Sequence, residues 1–97
     1  MNLYKISVAE WMGYDTYDSA VVCAKSTKDA RTIHPSGDIW RDNKWYMICI
    51  DGTEREMKNY CQSWVEGNEL GTIIVEKVGV ASKSTKRGVV VASFNAG

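Results

Sequence analysis

Any Ser/His/Asp or Cys/His arrangement in this chain would have to use His34, its one histidine, because imidazole is the side chain that gains and loses a proton near neutral pH. His34 stands directly before Pro35, and no G-x-S-x-G element presents a nucleophile. The favoured role is therefore structural: a ring packed at a helix end, bonded to the last helix carbonyls, with its cationic form favoured by the helix dipole. A small enzyme centred on His34 is the least favoured alternative, and the chain is read as non-enzymatic. Cys23, Cys49 and Cys61 are three thiols without a C-x-x-C pair, so no metal site is expected and buried thiols are the better account. Asp15, Asp18, Glu54, Glu56, Glu66 and Glu69 are scattered, with no two distinguished as an acid and base pair. Neither G-x-G-x-x-G nor G-x-x-x-x-G-K-[ST] occurs, so no nucleotide or other cofactor is expected.

The elements that must position these groups are organised around residues 14–35, YDTYDSAVVCAKSTKDARTIHP. Ala20 to Ala24 is a short run of small and β-branched residues suited to a strand at a sheet centre. Ser26 is placed as an N-cap, with Asp29 reaching back to the Ser26 amide, and a short helix ends near Ile33 or His34 before Pro35. Upstream, residues 3–9 alternate with Tyr4, Ile6 and Val8 inward. The connection through 10–16 makes this strand and the one at 17–24 an antiparallel pair.

Downstream, Ser36-Gly37-Asp38 is a turn, and residues 39–45 read as an ordered loop pinned by Trp40 and Trp45. A short strand at Tyr46–Ile50 follows. Asp51-Gly52 then turns the chain into an amphipathic helix over 54–65, on which Met57, Tyr60, Cys61 and Trp64 recur at helical spacing and Gly67 stops it. The rival is a hairpin through Asp51-Gly52, disfavoured by the strand-poor chemistry of Glu54-Arg55-Glu56. Strands at 72–78 and 88–94 are expected to pair antiparallel through an exposed basic loop. The whole is one α+β domain over 1–97: a small antiparallel sheet of about four to five strands with two helices packed on one face.

With 97 residues there is room for one modest core, and 44% apolar with 25% charged residues is globular composition. Twelve basic residues balance twelve acidic ones, so no global field draws the chain to nucleic acid or anionic lipid. No apolar run nears the roughly 20 residues of a membrane span. The N-terminal MNLYKISVAE has no signal-peptide pattern, and a reduced, cytoplasmic protein is expected.

Two surfaces suggest binding. Trp11, Met12 and Tyr14 on the first loop either fold back over the sheet, the favoured reading, or form with Trp40 and Trp45 a protein-binding set, since aromatics and Met are enriched in interface cores. Lys83, Lys86 and Arg87 form the alternative, a weak and salt-sensitive nucleic-acid contact. Residues 51–69 are acidic where the last loop is basic, which would present opposite-sign patches to a partner. A homodimer through an open edge strand is a further expectation.

The segments YDTYDSAVVCAKS, DARTIHPSG and GVVVASFNAG resemble a family of small, functionally uncharacterised proteins encoded in bacteriophages and prophages. The resemblance implies a phage accessory protein in the bacterial host cytoplasm that binds a host protein. By analogy, the target could be a regulatory factor or a defence system such as a CRISPR effector. It assigns no site residues.

Overall fold

The computed structural model describes residues 1–9, 13, 15–57 and 63–95. Strand β1 (Asn2–Ser7) and strand β2 (Thr16–Ala24) form the predicted antiparallel pair, in register from Asn2 opposite Ala24 to Ser7 opposite Ser19. Period-2 alternation sends Tyr4 and Ile6 inward, where both are buried. Helix α1 (Thr27–Arg31) follows, with the Asp29 N–H donating to the Ser26 hydroxyl at 3.1 Å. The reciprocal bond differs from expectation: the Asp29 carboxylate accepts from the Lys25 N–H, one residue before the cap. The helix stops at Arg31, and Ile33 leaves it to bridge Ile39.

The α+β expectation with two packed helices is overturned. Among the described residues the protein is mostly β, with two antiparallel sheets, one five-residue helix and a 3-10 turn at Leu70–Thr72. Strands β3 (Ile39–Arg41), β4 (Lys44–Ile48) and β5 (Glu54–Glu56) form a three-stranded sheet in chain order. Strands β6 (Ile74–Val80) and β7 (Gly88–Asn95) complete the larger one, in the order β6-β1-β2-β7.

Three local corrections explain the change. The first is at 39–45, read as a loop and found to be a hairpin. Asp42 and Asn43 both take positive φ, 53° and 64°, as a two-residue turn between twisted strands requires, and Asp and Asn tolerate that region. The second is at 54–65, where Glu54, Arg55 and Glu56 extend opposite Ile48, Met47 and Tyr46 instead of coiling. Their charges are no obstacle on an edge strand, because Glu54 meets Arg41 at 2.7 Å and Glu56 meets Lys44 at 3.5 Å. The rest of that expected helix falls partly on 58–62, outside the described residues. The third is that β6 and β7 do not pair with each other; they flank β1 and β2 on opposite edges. Ala20–Ala24 thus lies at a sheet centre, as its composition predicts.

One apolar cluster joins the parts: Tyr4, Ile6, Ala20, Val22 and Ala24 of the large sheet, Ala30 and Ile33 of the helix region, Trp45 of β4, and Trp64, Val65 and Ile73. Residues 63–67 are held against the small sheet by its two indoles, Trp45 Nε1–H donating to the Val65 carbonyl at 2.8 Å and Trp40 Nε1–H to the Gly67 carbonyl at 2.7 Å. Gly67 is there because nothing larger fits. A Cβ would stand 2.6 Å from the Asn43 carbonyl oxygen and 2.7 Å from the Lys44 Cα, backbone atoms that cannot swing aside. Gly67→Ala should cost about 2 kcal/mol by overpacking, measured by urea denaturation. Gly71→Ala, whose Cβ would meet nothing within 4 Å, is the control and should cost far less.

Candidate functional site

The fold gathers His34, Ser36 and Asp38, but not as a catalytic set. Nδ1 of His34 accepts from the Ser36 backbone N–H at 3.0 Å and lies 2.8 Å from the Ser36 hydroxyl, which donates to Asp38 Oδ2 at 2.7 Å. Asp38 Oδ2 is 3.6 Å from the same Nδ1. A proton relay needs the nucleophile on one ring nitrogen and the carboxylate on the other; here both crowd Nδ1. The opposite nitrogen, Nε2, is buried with no hydrogen-bond partner among the described residues.

His34 is wholly buried, edge-to-face with Trp45 at 4.9 Å between ring centres and with Tyr17 at 6.2 Å. Burial pushes its pKa down from 6.5 to about 4, against the pull of the Asp38 carboxylate. The ring is therefore neutral at pH 7, which corrects the expectation of a cation at the helix end. Its bonds to the turn at Ser36 likewise replace the expected bonds to helix carbonyls.

Of the aromatic set, Trp11, Met12 and Tyr14 lie outside the described residues. Trp45, at 0% exposure, offers no surface to a partner and belongs to the core. Trp40 is half-buried, its indole N–H committed to Gly67. In the basic loop, Lys83 and Lys86 are exposed, whereas Arg87 is tied to α1: Nε donates to both Asp29 oxygens, at 3.0 and 3.1 Å, and Nη2 to the Thr32 hydroxyl at 2.8 Å. Burial alone would raise the Asp29 pKa, but the bonds from Arg87 and the Lys25 N–H hold it below the usual carboxylate range. The opposite-sign patches are accordingly weakened, with Arg87, Glu54 and Glu56 all paired. Cys23 is buried, Cys49 is partly exposed, and Cys61 falls outside the described residues. Among the described residues no three His, Cys, Asp or Glu side chains converge on a metal position, and no helix is long and apolar enough to cross a membrane. The outer strands β6 and β7 each sit in an irregular ladder, which shifts register between Leu3 and Tyr4 on one side and, on the other, between Tyr17 and Ser19 and again between Val21 and Val22. Such shifts twist an edge away from self-pairing.

An exposed apolar surface that sequence reasoning missed is the tip of the β4–β5 hairpin. Ile50 is 110% exposed and Ile48 56%, and they border an open apolar groove with Met47 and Cys49. The tip is built to hold this shape. The Cys49 N–H donates to the Thr53 carbonyl at 2.7 Å, and the Gly52 N–H to the Cys49 carbonyl at 2.9 Å. Gly52 at φ 87° closes a three-residue turn of the kind that needs glycine there. Asp51 Oδ1 accepts from the Thr53 hydroxyl at 2.6 Å and the Thr53 N–H at 3.0 Å, and those bonds hold its pKa below the usual range. Below the tip, Arg41 lies 4.4 Å over the Tyr46 ring while bonded to Glu54. The signal was the Asp51-Gly52 dipeptide, which the helical spacing of 57–64 outweighed.

Comparison of the chain with protein-family models, with curated proteins and with solved structures finds no match in any of the three.

Proposed function

We propose that this chain is a non-enzymatic protein-binding module that engages its partner through the β4–β5 hairpin tip, with Ile50 as the anchor and Ile48 beside it. The observation that supports this is a fully exposed isoleucine held on a turn cross-braced by Asp51, Thr53 and Gly52. A β-branched side chain left in water contributes nothing to the fold, while a rigid one loses little entropy on entering a partner's pocket. In keeping with the resemblance of its terminal segments to phage-encoded proteins, the partner is a host protein and the setting the bacterial cytoplasm.

The test is affinity capture from bacterial lysate at low and high salt with wild-type protein, Ile50→Asp and Ile50→Val. One stoichiometric protein retained by wild type and Ile50→Val through high salt, and lost by Ile50→Asp, is the expected result. Because the side chain touches so little of the fold, Ile50→Asp should shift stability by no more than about 0.5 kcal/mol. Undiminished capture by Ile50→Asp would remove the tip from the binding surface. Nucleic acid released at high salt would transfer the function to Lys83 and Lys86.

A further inference from the structure

We propose that the end of the large sheet where β2 finishes and β7 begins docks onto an anionic lipid surface, with lysines on the headgroups and Met1 and Val80 entering the interface. The zero net charge of the whole chain conceals a strong local imbalance. Residues 24–32 and 81–88 contain Lys25, Lys28, Arg31, Lys83, Lys86 and Arg87, with Asp29 as their one acid, so they hold six of the twelve basic residues and one of the twelve acidic ones. Together they carry a net charge of +5, and the rest of the chain −5. The fold sets the two segments side by side. Strands β6 and β7 lie on opposite edges of the sheet, so residues 81–87 must cross from one edge to the other. The crossing is pinned to β2 by the Cys23 thiol, 3.9 Å from the Thr85 carbonyl oxygen, and to α1 by Arg87 on Asp29 and Thr32. Helix α1 in turn packs against β1, β2 and β6.

Asp29 is already committed to Arg87. Lys25, Lys28, Lys83 and Lys86 are all exposed, and none of them is in an ion pair among the described residues. Four lysines are thus left without a countercharge of their own. The apolar side chains at the same end select a bilayer over a nucleic acid. Val80 is 73% exposed and Met1 47%, and they are neighbours in the ladder, since Asn2 pairs with Val80 and the Ala81 N–H donates to the Met1 carbonyl at 3.1 Å. Asn2 pairs on its other side with Ala24, which Lys25 follows, so cation and apolar side chain share one row of strand ends. The two basic segments contain no aromatic residue to stack on a base. A lipid interface rewards this combination, because buried apolar area adds to the attraction of lysines for anionic headgroups.

The test is co-sedimentation of the full chain with vesicles of phosphatidylcholine and phosphatidylglycerol, against pure phosphatidylcholine vesicles and, by anisotropy, a short DNA duplex at the same salt. Binding to the anionic vesicles alone, lost when salt screens it, is the expected result. Lys83→Gln with Lys86→Gln, and separately Lys25→Gln with Lys28→Gln, should each weaken it about twenty-fivefold, at about fivefold per lysine. Lys83→Arg with Lys86→Arg should bind as wild type does. Val80→Ser should weaken vesicle binding about threefold through lost apolar burial. Ile50→Asp should leave vesicle binding unchanged, which keeps this surface separate from the hairpin tip. No sedimentation with the anionic vesicles, equal binding to both kinds of vesicle, undiminished binding in either lysine pair, no effect of Val80→Ser, or a duplex bound more tightly than the anionic vesicles would each overturn the assignment.

Discussion

Trp45→Ala is expected to lower the stability of this protein by about 4 kcal/mol, within the range for aromatic truncation in a closed core. Trp45 is one of two fully buried tryptophans and the small sheet's main contribution to the common cluster. Its loss removes the ring against His34 and the bond to the Val65 carbonyl together. For small domains total stability is about 5–15 kcal/mol, so the variant should be partly unfolded near body temperature. Trp45→Phe separates the two terms: the ring packing is kept in part, while the buried Val65 carbonyl is left without its donor at a cost of about 1–3 kcal/mol. Urea denaturation reads both. If Trp45→Ala cost less than about 1 kcal/mol, the two sheets would not share one core. Retention of partner by folded Trp45→Phe would agree with its burial.

Acid should weaken the fold through His34. His34 is held at a pKa of about 4 by burial, against 6.5 when free, so between those values the unfolded chain binds a proton that the folded chain refuses. Stability is therefore fully present above about pH 6.5, falls as the pH drops towards 4, and is lower by about 3 kcal/mol at the end, at about 1.4 kcal/mol per pH unit. His34 is the one histidine, and Asp29 and Asp51, held below the usual carboxylate range, contribute losses only at lower pH. Urea midpoints at neutral pH and near pH 4 measure the fall, and His34→Phe should abolish most of it. An unchanged slope in His34→Phe would place the acid sensitivity elsewhere.

The candidate site was less legible than the fold. Trp40 and Trp45 were recognisable as anchoring indoles, yet what they anchor, the 63–67 segment, lies some twenty residues on and carries no pattern pointing back to them. Ile50 read as the last residue of a short strand, because an apolar run of five looks the same whether its end is covered or projects past the body. Arg87 read as one more cation of a solvated loop, and its partners Asp29 and Thr32 are 58 and 55 residues away.

What the sequence determined by itself was the local structure between Asn2 and Arg31: the alternating first strand, the apolar central strand, and Ser26 capping a short helix. In each, the deciding interaction links residues close along the chain, so composition and spacing contain it. Tertiary structure alone decided which strands sit beside β1 and β2, and whether 54–56 would coil or extend. Both β6 and β7 have the composition to pair with any open edge; where they dock, Val75, Val89 and Ala92 pack against the shared cluster. Helical spacing from Met57 to Trp64 was present in the sequence, but Trp64 is buried in the common core and Glu54–Glu56 are paired across β4. Burial of one indole and three ladder positions on β4 are non-local gains, and a period counted along the chain does not register them.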